Sequence, residues 1–108
     1  MIRYTTPTLP MTVPVDITGA DIRVSIEQGA TRKILKEGTD VTATYNSTAG
    51  VTELSVSLTQ AETGMLLAGR QAKVQVNWIF ANGVRDATLV KTIDISENLL
   101  NEVIEYGS

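Results

Sequence analysis

Residues 72–88 read AKVQVNWIFANGVRDAT, and their pattern decides the fold. Ala72, Val74, Val76, Trp78 and Phe80 alternate with Lys73, Gln75, Asn77 and Ile79. Successive side chains of a strand point to opposite faces, so this period of two predicts a strand with one buried face. Asn82-Gly83 follows, the dipeptide favoured by type I′ hairpin turns because both central residues need positive φ. A return strand is expected after it, with Ala87, Leu89, Ile93 and Ile95 on one face interrupted by Lys91. Trp78 and Phe80 are the only Trp and Phe of the chain. Their alternation with Val74 and Val76 makes them core anchors, the indole N–H finding one backbone acceptor. The rival reading is a sugar-stacking Trp78, with Tyr45 as a second ring.

The same period recurs elsewhere in the chain. Leu9, Met11, Val13 and Val15 alternate with Pro10, Thr12 and Pro14. Proline cannot donate to a sheet ladder, so this is an edge strand. Ile22, Val24 and Ile26 alternate over the next strand, RKILK makes a short one, and Val41, Ala43 and Tyr45 another. Leu54, Val56 and Leu58 alternate with Glu53, Ser55 and Ser57. Between these runs DITGAD, QGAT, EGTD and NSTAG carry turn residues.

The period changes once. Thr59 stands three residues before Glu62, a capping-box spacing, and Ala61, Met65 and Leu66 fall near helical spacing. One or two helical turns are expected over about 60–68, ended by Gly69 and crossing from one sheet to the other. The tail SENLLNEVIEYGS fits a short amphipathic helix or a packed extension. About seven short strands at this spacing predict an all-β fold, an antiparallel β-sandwich, with a small barrel as runner-up. One domain over 1–108 is expected, with an extended lead-in at 1–8 and a docking tail at 97–108.

Composition narrows the chemistry. The chain of 108 residues has no Cys and no His. Thiolate catalysis, disulfides, Cys-based zinc sites and Ser-His-Asp arrangements are excluded within one chain. The net charge of −3, with scattered basic residues, argues against nucleic acid or an anionic membrane as partner. Arg32, Lys33 and Lys36 form the densest basic group and are expected to line an exposed turn and strand. No apolar leader segment and no membrane-spanning run is present in the sequence, so a soluble, cytosolically made chain is expected.

Of the twelve acids, Asp16, Asp21, Glu37, Asp40 and Asp86 fall in turns or on solvent faces. A glycosidase needs two carboxyl groups held across a cleft, and small sandwiches rarely form one. Asp16 with Asp21, or Asp94 with Glu97, are weak calcium candidates without a calcium-loop pattern. Asn46-Ser47-Thr48 matches a glycosylation acceptor, but without a leader segment it reads as a turn. No phosphate-binding loop occurs. The expectation is no catalytic residue, no cofactor and no metal.

The order of segments TTPTLPMTVP, DITGADIRVSIEQG, LSVSLTQAET, residues 72–88 and IDISENLLNEVIE resembles small structural proteins of phage and prophage tail modules. It is similar, more distantly, to the N-terminal domain of phage baseplate upper proteins. The resemblance covers nearly the whole chain through strand patterns, the helix start and the acidic-apolar tail. It implies an immunoglobulin-like sandwich, no enzymatic activity, a possible homo-oligomer or partnership with other tail or baseplate proteins, and a place in the virion or in the bacterial cytoplasm during assembly. The chain stops at Ser108, where baseplate upper proteins continue into a stalk. The apolar residues at the chain ends, Ile2, Tyr4, Leu99, Leu100, Val103, Ile104 and Tyr106, are the candidate inter-subunit contacts; sealing the sandwich ends is the alternative. A carbohydrate- or surface-binding module is the other function to weigh, and a small hydrolase a distant third.

Overall fold

Each alternating run becomes a strand in the computed structural model, which describes residues 1–107. In chain order these are β1 (Thr8–Val13), β2 (Asp21–Gln28), β3 (Arg32–Lys36), β4 (Val41–Asn46), β5 (Val51–Ser57), helix α1 (Gln60–Gly64), β6 (Gln71–Ile79), β7 (Arg85–Ala87) and β8 (Lys91–Asp94), with a 3-10 turn at Gly38–Asp40 before β4. They form two antiparallel sheets. One has the order β1-β5-β4; the other runs β3-β2-β6-β7, with β8 also on β6. The chain is an all-β sandwich in which β2 lies between β3 and β6.

The core lies between the sheets. Val13, Leu54 and Val56 come from one layer and Val24, Ile26, Val74, Val76 and Trp78 from the other. Trp78 is only 7% exposed, so the ring is a core anchor. Phe80 packs on the core from its rim. No acceptor for the indole N–H is found among the described residues, contrary to expectation. Two buried polar side chains tie connections to the sheets. Thr52 accepts from the Ile17 amide and donates to the Val15 carbonyl, joining the β1–β2 link to β5. Gln28 donates to the Leu67 carbonyl and accepts from the Leu67 amide, holding the segment between α1 and β6.

The hairpin after β6 exists, but its turn differs from the expected one. Gly83 has φ of +87°, while Asn82 is not left-handed. The Gly83 amide donates to the Phe80 carbonyl and the Phe80 amide to the Val84 carbonyl. This is a three-residue loop, a turn followed by a left-handed glycine, rather than a two-residue type I′ turn. The Asn82 side chain accepts from the Val84 amide, which stabilises this alternative.

The return strand departs further. Ala87 pairs with Asn77, yet Lys91 pairs with Val74, so the register slips by one residue between them. One extra residue in one strand is a β-bulge, and it turns every later side chain to the other face. Ala87 and Ile93 therefore do not share a face. Leu89 sits in the bulge, 88% exposed. Thr88 makes the slip possible: its hydroxyl accepts from the Val76 amide, and its carbonyl accepts from Gln75 Nε2. β7 and β8 are thus two halves of one bulged edge strand.

Contrary to what its place in the basic group predicts, Lys36 does not share an exposed strand face with Arg32 and Lys33; it is 4% exposed. Period two places it on the inward face with Ile34, and its ammonium reaches Glu62 Oε1 at 2.8 Å and Asp40 Oδ2 at 3.4 Å. Burial alone opposes the Lys36 charge, but Glu62 and Asp40 together outweigh it and raise the Lys36 pKa above its ordinary 10.5. Burial likewise opposes the Glu62 charge; Lys36 and the Thr59 amide outweigh it and lower the Glu62 pKa below 4.5. The lowered Glu62 contributes stability above its unfolded value, lost as pH falls through the folded one; the raised Lys36 contributes below its unfolded value, lost as pH rises through the folded one. With no His in the chain, stability is expected to be flat between about pH 5 and 10 and to fall on both sides. Urea midpoints across pH check this. Glu62→Gln should lower the plateau and shallow the acid limb; an unchanged acid limb assigns it to other carboxylates.

Candidate functional site

Both chain ends meet on α1, and the reasons are local. Thr59 caps the helix: its hydroxyl accepts from the Glu62 amide, and Glu62 Oε1 accepts from the Thr59 amide. Capping fixes the helix start, so each later side chain has a set direction. Thr63, one position on, points inward and is fully buried. Its hydroxyl accepts from the Thr5 amide at 3.0 Å and donates to the Thr5 carbonyl at 2.8 Å, so one side chain acts as a strand partner for the lead-in. Gln60, on the outer side, does the same for the tail. It accepts from the Ile104 amide and donates to the Ile104 carbonyl, both at 2.8 Å.

The two ends also hold each other. Ile2 forms an isolated parallel bridge with Ser96, and the Met1 ammonium donates to the Asp94 carbonyl. Arg3 donates to the Gly64 carbonyl and, at 3.4 Å, to Asn101 Oδ1, while Asn98 Nδ2 donates to the Arg3 carbonyl. The Arg3 guanidinium lies over the Tyr4 ring, 5.2 Å from its centre. Tyr4 has a left-handed φ of +58°, unusual for a bulky residue, and its ring lies where a Cβ on Gly64 would be. Glycine at the helix end is what lets the ring approach.

Of the seven candidate contact residues, Tyr4 is half-buried against Gly64, while Ile2, Leu99, Leu100, Val103, Ile104 and Tyr106 are exposed. Leu99 is 97% exposed. The tail takes no helical turn: it runs irregularly past α1, anchored through backbone atoms, with its apolar side chains outward. The residues that position this surface, Arg3, Gln60, Thr63, Gly64 and Asn98, were not singled out by sequence reasoning. Only the LTQAET cap signal pointed near them.

The rest of the molecule offers little chemistry. Asp21 and Glu37 pair with Arg23 on the surface. Asp16 accepts from the Thr18 hydroxyl and amide, which lowers its pKa. Asn46 Oδ1 accepts from the Thr48 and Ala49 amides, so the glycosylation-like triplet is a turn. Among the described residues no group of three or more acids could hold a metal ion. A half-open hollow of about 280 Å³ on the outer sheet face is lined by Asp21, Arg23, Asn77, Trp78, Ile79 and Arg85; Trp78 reaches it from the core side and is 7% exposed, and the hollow holds one carboxylate, not the pair that glycoside hydrolysis needs. No described helix is long and apolar enough to cross a membrane.

No protein-family model and no curated protein matches the chain.

Proposed function

We propose that the chain is a non-enzymatic assembly protein that docks on partner proteins through its joined ends. The observation that carries this is the tail: anchored on α1 through the Ile104 backbone, it turns Leu99, Val103 and Ile104 outward. An isolated exposed Leu needs no explanation, but a run of them on a tethered segment does. Anchoring also lowers the ordering cost of binding. The narrower reading, a phage or prophage tail or baseplate component, rests on the resemblance of the segment order. The carbohydrate-binding alternative loses its best residue, since Trp78 is buried and Tyr45 is left alone.

Co-expression of the tagged chain with the products of genes flanking its own tests the proposal. A stable complex with one of them is expected, weakened tenfold or more, about 1.4 kcal/mol, by Leu99→Asp with Ile104→Asp. A complex indifferent to these substitutions removes the chain ends from the interface. No complex with any flanking product overturns the assembly reading.

A further inference from the structure

A sandwich has four sheet edges, and here three of them are protected against pairing. β1 carries Pro10 in its middle, which has no N–H to offer. β3 carries the adjacent charges Arg32 and Lys33 and the inward-pointing Lys36, charged side chains of the kind that blunt an edge. β7 and β8 are three and four residues long and are broken by the bulge at Leu89. These are the devices by which natural sheets block their edges.

β4 has none of them. Its sequence, VTATYN, contains no proline, no charge and no bulge, and it pairs with β5 continuously from Val41 to Asn46. No described strand lies on its other side. Backbone groups point alternately to the two sides of a strand, so Val41, Ala43 and Tyr45 leave their donors and acceptors facing outward and unpaired, while Thr42, Thr44 and Asn46 bond to β5.

We infer that β4 is a self-association edge, joining a second copy of this chain antiparallel across a two-fold axis. A two-fold pairing of this kind is self-complementary, so the edge must tolerate its own sequence opposite itself. β4 does. In the register centred on Thr44, Thr44 faces its own copy, Thr42 faces Asn46 and Ala43 faces Tyr45; no like charges meet, and Thr–Thr pairs are favourable.

A hollow beside the strand fits the same occupant. Val41 and Ala43 line it with Ala20 and Ile22, and its volume is about 340 Å³. Tyr45 lies on the inward side with Val41 and Ala43, since it pairs with the buried Thr52, yet it is 39% exposed. In this register the Tyr45 ring of the second copy lies opposite Ala43, at the mouth of the hollow, and each copy fills the other's. The result is a six-stranded sheet, β1-β5-β4 continued by its symmetry mate. This surface is separate from the chain ends, which meet on α1.

Sedimentation of the full-length chain tests the inference. The wild type is expected to dimerise reversibly, with exchange of the outward Ala43 and Tyr45 amides slowing as concentration rises. Thr44→Lys and Thr44→Glu should each weaken the dimer about tenfold or more, and an equal mixture of the two should restore it. Tyr45→Ala should weaken it too. Leu99→Asp with Ile104→Asp should leave it unchanged, so failure of β4 pairing and failure of chain-end docking are read separately. A wild type that stays monomeric to about 1 mM overturns the inference. A dimer that ignores both Thr44 substitutions overturns it equally, and the mixture guards against misreading a folding defect as lost pairing.

Discussion

Glu62→Ala is expected to destabilise the fold by about 3 kcal/mol, the larger share from what it leaves behind rather than from what it removes. Glu62 holds the Lys36 ammonium at 2.8 Å, and Lys36 is almost wholly inside the sandwich. Removing one partner of a buried pair costs about 3–5 kcal/mol, because the other charge remains out of water. Here the figure falls at the low end, since Glu62 is partly exposed and Asp40 remains within 3.4 Å. The same substitution also deletes half of the capping box, and Thr59 loses its reciprocal bond. Thermal and urea unfolding measure the total. Lys36→Met separates the terms: it removes the charge and keeps the stem, so it should cost much less than Glu62→Ala. If both cost the same, the stranded ammonium is not the cause.

Trp78→Ala is expected to cost about 3–5 kcal/mol, a large fraction of the stability of a domain this size. The ring lies between the sheets at the end of β6, across from Ile22 of β2. Its removal leaves a cavity that the neighbouring strands cannot close without breaking their ladders. Urea unfolding reports the loss, and Trp78→Phe should recover much of it. Because Trp78 is the only Trp, its emission should be blue-shifted when folded and move red on unfolding. A loss below about 1 kcal/mol would mean that the ring does not anchor the core.

Wherever side-chain chemistry and strand period agree, the fold was legible in the sequence. The buried faces of β2, β5 and β6 are the alternating residues, and Pro10 correctly marked an edge. Thr59 and Glu62 signalled the helix, although it stops at Gly64 rather than near 68. The misses come from partners far along the chain. Nothing near Leu89 signals a bulge, because the slip depends on Thr88 bonding to Val76 and Gln75, twelve and thirteen residues away. Lys36 follows the period of its strand, but a lysine on an inward face makes sense only once Glu62 is seen beside it. The chain-end residues stand out in the sequence as apolar; the side chains that position them, Gln60 and Thr63, are polar and look like ordinary helix surface.

The lead-in has a consequence for the order in which the molecule assembles. Its bonds run from Thr5 to Thr63, Arg3 to Gly64 and Ile2 to Ser96, separations of 58, 61 and 94 positions. Closing loops of that length before their ends are held is entropically unfavourable. The hairpins must zip and α1 must form before Met1–Pro7 has anything to attach to. Met1–Pro7, bound to α1 and the tail at one end of the molecule, is therefore expected to dock after α1 has formed; faster amide exchange at Thr5 than at Val24 or Val76 checks this. The segment that clasps the tail is thus a latch that the rest of the fold closes.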